Sequence, residues 1–269
     1  MTPKLWQIFV TGIWLLTGSV TGVSADTPSI RIVTQSFAPL QWDNDGKPDG
    51  YVTQYIAEVI GRVKETVPLE AASVEFMPWK RAMLTARSVP NVLLFSLSRT
   101  QEREDQFLWL GEVSPYGQYF YQLRTKPDVA ADTVADLKGT GLRIGVQDGG
   151  NLHAYLQRTG LEASGQLMPI TDYRQGIEML YLGRIDLLPL TGFLAEASAC
   201  RQGYDGALLR PVVFIEDLAK PLWAVFSRGT DPMIVEAFRS EMAALKDSGY
   251  LEEQMRIHRD NWQSRACGG

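Results

Sequence analysis

The chain has 269 residues, of which 45% are hydrophobic and 21% charged, a mixture rich enough to bury a core and too varied for a disordered or low-complexity protein. Its 26 Lys+Arg against 31 Asp+Glu leave a net charge of -5, and without a basic cluster this argues against binding to a phosphate backbone, so no nucleic-acid partner is expected. No repeat of solenoid period is visible, which leaves one large domain or two lobes of roughly 100–150 residues.

At the N-terminus Lys4 precedes an uncharged stretch from Leu5 to Ala25, interrupted by Gly12 and Gly18 and ending in the small residues Val23-Ser24-Ala25. This is the layout of a signal peptide over residues 1–25, cleaved after Ala25, and it implies an exported protein. The remaining sequence has no apolar run near the roughly 18–20 residues that a membrane helix needs.

Next, the β-branched run Ile30 to Thr34 reads as a strand. The turn-rich stretch Asp43 to Gly50 follows, and apolar residues then recur at Val52, Tyr55, Ile56, Val59, Ile60 and Val63 with helical spacing. Val74 to Met77 reads as a strand, Trp79 to Ala86 as a helix and Val92 to Leu97 as a buried strand. Tyr116 to Leu123 is extended and aromatic-rich. Leu142 to Val146 predicts a strand before the turn Asp148-Gly149-Gly150 and a helix from Asn151, with Asn151 as its cap. Asp172-Tyr173-Arg174-Gln175 predicts a capped helix start, and Gly183 its end. Pro221 to Ser227 is a second extended aromatic segment. Asp231-Pro232 then opens a helix whose buried face is Ile234, Phe238, Met242 and Leu245.

Alternating strands and helices predict an α/β fold with parallel or mixed sheets and binding groups at the carboxyl ends of strands. The two aromatic segments are expected to carry the chain between lobes: 26–120 with 222–269 as lobe 1, and 121–221 as lobe 2. In an oxidising compartment Cys200 and Cys267 are expected to form one disulfide. With only His153 and His258 beside them they match no zinc spacing, and no metal or other cofactor is expected.

The stretches Phe37-Ala38-Pro39-Leu40, Asp45-Gly46-Lys47 and Gly50-Tyr51 carry a family likeness that continues through Ser96 to Arg103, Phe107 and Ser114-Pro115-Tyr116. It extends to Asp136-Leu137-Lys138-Gly139, Gly183-Arg184-Ile185-Asp186 and Leu245 to Leu251. In their order and spacing these motifs resemble the family 3 periplasmic solute-binding proteins, the polar amino-acid binding components of ABC importers. The resemblance implies a two-lobed type II periplasmic binding protein fold with two crossing hinge strands. It also implies a periplasmic location, a small carboxylate or amino-acid-like ligand trapped between the lobes, and an inner-membrane permease as partner of a monomeric receptor.

Arg103 stands at the family's carboxylate-binding arginine, and a guanidinium suits that task because it makes two parallel bonds to a carboxylate. By the same resemblance Ser96 and Ser98 supply neighbouring polar contacts, while Phe37 and Trp79 are aromatic walls. Gly150 and Asn151 would offer helix-start N–H groups to an anion. Thr191 occupies the position of the family's amine-binding aspartate, and Asn91 replaces a first-lobe aspartate, so an ordinary α-amino acid is a poor expectation unless an acid such as Asp148 takes over. Lys80 and Arg81 add cations near Trp79. An enzyme of the same fold, dehydratase-like, is the alternative, as is a ligand-binding partner of a membrane sensor. No hydrolase or zinc-protease motif supports catalysis, and Asp148 with His153 reads as local capping rather than as an acid–base pair.

Overall fold

The computed structural model describes residues 27–266, so the expected signal peptide and Cys267 lie outside the described residues. From the N-terminal side the chain forms β1 (Ser29–Thr34), the short hairpin β2 (Trp42–Asn44) and β3 (Lys47–Asp49), and α1 (Tyr51–Thr66). These are followed by β4 (Glu70–Phe76), α2 (Trp79–Ser88), β5 (Val92–Ser98) and β6 (Phe107–Ser114). Then come β7 (Gln118–Leu123), β8 (Ile144–Gln147), α3 (Asn151–Arg158), β9 (Leu167–Ile170), α4 (Tyr173–Tyr181), β10 (Leu188–Thr191), α5 (Ala195–Cys200) and β11 (Leu209–Phe214). The chain finishes with β12 (Leu222–Ser227), α6 (Pro232–Asp247) and α7 (Tyr250–Ala266).

Two sheets organise these elements. The first is mixed, in the order β4-β1-β5-β12-β6, with β1 parallel to both β4 and β5, and β12 antiparallel to β5 and β6. In the second, β7 lies between β10 and β11 in antiparallel register, and the parallel pair β8–β9 joins through a parallel bridge from Ile144 to Leu187. The chain leaves the first sheet after Ser114, enters the second at Gln118, and returns between Phe214 and Leu222.

The expected periodicities account for the packing. In α1, Val52, Tyr55, Ile56, Val59 and Val63 are buried against β1, β5 and α6, and Tyr55 Oη also donates to the Met242 carbonyl at 2.9 Å. On α6 the buried face is Ile234, Val235, Phe238, Met242 and Leu245, with Asp231 Oδ1 accepting from Met233 N–H at 2.7 Å and Pro232 in the first turn. Gly50 cannot be replaced without strain: its φ is +110°, and an added Cβ would lie 2.3 Å from the Leu40 carbonyl oxygen.

The C-terminal helix α7 has a special position. It packs on α1 and α6 of the first lobe and also reaches α5 of the second. Its Trp262 shares a buried cluster with Leu194 and Ala197.

Candidate functional site

The carboxyl ends of β1 and β5 face those of β8 and β9 across the gap between the lobes, where an α/β fold opens its crevice. Seven of the residues expected from sequence line one pocket there: Phe37, Trp79, Ser96, Ser98, Arg103, Gly150 and Asn151. Thr191 does not join them; it is 5% exposed and lines an adjoining cavity on the other side of Phe37. Arg81 and Asn91 line neither space.

Arg103 sits in the short 3₁₀ turn Gln101–Gln106 that follows β5, and it is 8% exposed. Its Nη1 donates to the Ser98 carbonyl at 3.0 Å, and its guanidinium lies 5.9 Å from the Trp79 ring centre. Among the described residues no carboxylate lies within ion-pair distance of it. Burial first, and repulsion from Arg87 second, push its pKa down to about 10, with Glu102 opposing. A buried cation lacking a paired acid is costly, and an anionic ligand would relieve that cost.

Ser96 has φ +64°, a left-handed conformation unusual for a residue with a Cβ. It falls where β5 bulges: Leu97 pairs with Trp223 and Leu94 with Val225, so β5 carries one residue more than its partner. Such a bulge re-aims a side chain, and strain of this kind collects at binding sites. The Ser96 hydroxyl donates to Gln41 Oε1 at 2.8 Å.

The turn after β8 departs in one respect from the expectation. Asn151 is not the cap: Gly150 is the N-cap residue of α3, no side chain caps the helix, and Asn151 is already helical. The reason is the turn itself, in which Gly149 takes φ +70° and brings the chain into the helix one residue early. The first-turn N–H groups of α3 therefore lack a side-chain partner at the pocket wall. His153 is used locally, its Nδ1 accepting from Gly149 N–H at 3.3 Å and lying 3.6 Å from Asp148 Oδ1.

Contacts bridge the lobes around this pocket. Lys80 Nζ meets Asp148 Oδ2 at 2.6 Å, Trp79 Nε1 donates to the Gly149 carbonyl at 3.2 Å, and Gln147 Nε2 donates to Gln35 Oε1. Phe37 stacks on Tyr173 with centroids 5.0 Å apart, and Tyr116 meets Phe37 edge-on at 6.1 Å. Gln118 Nε2 donates to the Tyr173 hydroxyl at 3.1 Å.

Sequence reasoning missed Gln35, Gln118, Gln147 and Tyr173, all of which line the pocket. Gln35 and Gln147 were within reach of the strand-end rule: one follows β1 and the other is the last residue of β8. Tyr173 follows the helix-capping Asp172 at the end of β9, where only the cap was read. Among the described residues that line the pocket there is one cation and no carboxylate.

No protein-family model matches the chain. No curated protein matches it in sequence. Solved structures do match in shape. An amino-acid ABC transporter substrate-binding protein from Streptococcus pneumoniae bound to L-arginine is 16% identical, over 87% of this chain and 95% of that one, with a TM-score of 0.71. The fold is that of a type II periplasmic binding protein. An ancestral arginine-binding protein bound to arginine is 17% identical over 85% of this chain and 97% of its own, at 0.70. A histidine kinase sensor domain with similarity to periplasmic binding proteins is 18% identical over 88% and 97%, at 0.71. Among the described residues no helix is long and apolar enough to cross a membrane.

Proposed function

We propose that this protein is an exported, monomeric solute receptor that traps a small carboxylate or amino-acid-like anion between its lobes and delivers it to a membrane permease of the ABC type. The observation that carries the reading is Arg103, a buried guanidinium without a paired acid on the wall of an interlobe pocket. Ser98 fixes the guanidinium through its carbonyl, Trp79 flanks it, and the uncapped start of α3 offers N–H groups from the opposite lobe. The pocket has no carboxylate to neutralise an ammonium group, so the reading favours an anion without an adjacent α-ammonium. Binding, not turnover, is the proposed activity.

A sensor partner is the second reading, favoured by the histidine kinase sensor domain of the same fold at the same TM-score as the importer component. Thermal-shift screening against carboxylates, amino acids and short peptides tests the receptor reading, because a ligand at 100 times its dissociation constant adds about 2.7 kcal/mol of stability. Stabilisation by carboxylates that disappears in Arg103→Ala supports it. Turnover of the hit would move the assignment to an enzyme.

The expected signal peptide and the Cys200–Cys267 disulfide belong to the same proposal. Cys200 ends α5, the helix that α7 contacts before the chain reaches Cys267. Alkylation of the unreduced exported protein is expected to find no reactive thiol, and two alkylated cysteines would remove the disulfide.

A further inference from the structure

The pocket at Arg103 is small. Its free volume is about 40 Å³, whereas sites for organic ligands hold roughly 300–1,000 Å³. On the other side of Phe37 and Tyr173, which line both spaces, lies a second cavity of about 340 Å³. The stack of Phe37 from the first lobe on Tyr173 from the second is thus a partition across the interlobe cleft. The head chamber by itself has no room for the body of an organic acid, and the chamber behind the partition does.

The walls of the larger chamber indicate what it would take. Ile177, Leu190, Leu194 and the aromatic rings supply its apolar surface, and Asp43, Asp172, Arg174 and Arg201 also border it. Its far end is closed by Trp42 and Trp262, 5.3 Å apart, with the Arg201 guanidinium 4.1 Å from the Trp262 ring centre. Three groups on residues bordering it, the indole N–H of Trp42, that of Trp262 and the hydroxyl of Thr191, are buried without a partner among the described residues. Buried polar groups in folded proteins are nearly always paired, so this concentration around one cavity is unusual. Two of the three can only donate, which suits the π face of an aromatic ring as well as an acceptor atom.

We infer that the cleft is two-chambered, and that the larger chamber is a subsite for the apolar or aromatic body of an elongated carboxylate whose head is held at Arg103. Tyr173 then swings away from Phe37 on binding, and the ligand's body takes its place against the Phe37 ring. The inference rests on the reading of Arg103 as the anion anchor.

Calorimetric titration with acetate, butanoate and 4-phenylbutanoate tests it. Affinity is expected to rise about threefold to fourfold for each methylene group buried, and further with the phenyl ring. Ser198→Trp, placed on the half-buried α5 wall of the larger chamber, is expected to abolish that gain while leaving acetate binding unchanged. The change in indole emission on adding 4-phenylbutanoate is expected to fall, in the Trp42→Phe/Trp262→Phe protein, to the change that acetate gives through Trp79, a readout independent of the filling variant. Binding that depends on Arg103 but not on chain length would overturn the second chamber and leave the receptor reading intact. Loss of the length gain in Ser198→Trp together with unchanged affinities in Arg103→Ala would keep the larger chamber as a binding site but overturn Arg103 as the anchor, and with it the inference as stated. No binding of any of the three acids to the native protein overturns it as well.

Discussion

Arg103 costs the empty protein free energy that a bound anion returns. Arg103→Ala is therefore expected to weaken carboxylate binding by about 2–5 kcal/mol while leaving the ligand-free melting temperature unchanged or slightly raised, as titration calorimetry and thermal melting on one preparation will show. Arg103→Lys keeps the charge but loses the planar fork, so an intermediate loss is expected. Arg103 and Ser98 could be placed beside the pocket from the sequence because a motif and a strand end coincide there, whereas Trp79, the first residue of α2, rested on the resemblance alone. Tyr173 was not, because a tyrosine in the first turn of a helix carries no mark that it will stack on Phe37 from another lobe. The left-handed backbone of Ser96 was equally hidden: nothing in a run of apolar residues announces that β5 carries one residue more than β12.

At the scale of single elements, local chemistry was the best guide. Asp172 and Gln175 cap α4 in the expected manner, with Gln175 N–H donating to Asp172 Oδ1 at 2.8 Å and Thr171 N–H donating to Gln175 Oε1 at 2.8 Å. Asp172→Ala is expected to cost about 0.5–2 kcal/mol in urea unfolding, and to weaken ligand binding as well because the cap sets the position of Tyr173. Gly50→Ala tests the entry to α1. The left-handed backbone alone costs about 1–3 kcal/mol, and the close approach to Leu40 adds to it, so a clearly lowered urea midpoint with an unchanged slope is expected. The start of α3 at Asn151 was read correctly but its cap one residue late, since the sequence of two glycines does not say which of them will take the positive φ.

For the whole molecule, the mixed α/β class followed from the alternation of strands and helices, whereas the strand order was not legible there. Nor were the contacts across the cleft, because they join residues far apart in sequence. Lys80 with Asp148 is the exposed pair among them. Asp148 has its pKa held below the ordinary aspartate range, chiefly by the hydrogen bond from Lys80. A carboxyl lowered in the closed form favours closure fully above its ordinary pKa and loses that contribution as pH falls through the lowered value. Small-angle scattering between neutral pH and about pH 3 is expected to show an acid-induced shift toward the open form. Exposed ion pairs contribute about 0–1 kcal/mol, so the shift is modest and fades at high salt, and Lys80→Met is expected to start more open and respond less to acid.

The position of α7 has one further mechanical consequence. Two jaws joined only at the crossings would gape evenly, but here a helix of one jaw also rests on α5 of the other, with Trp262 under Arg201. That corner is expected to act as a fulcrum, with the mouth widening most away from it, where Lys80 and Asp148 bridge the lobes. On the proposed reading an elongated acid is expected to enter beside Arg103 body first, its apolar end reaching the blind corner held by α7 and its head stopping at Arg103.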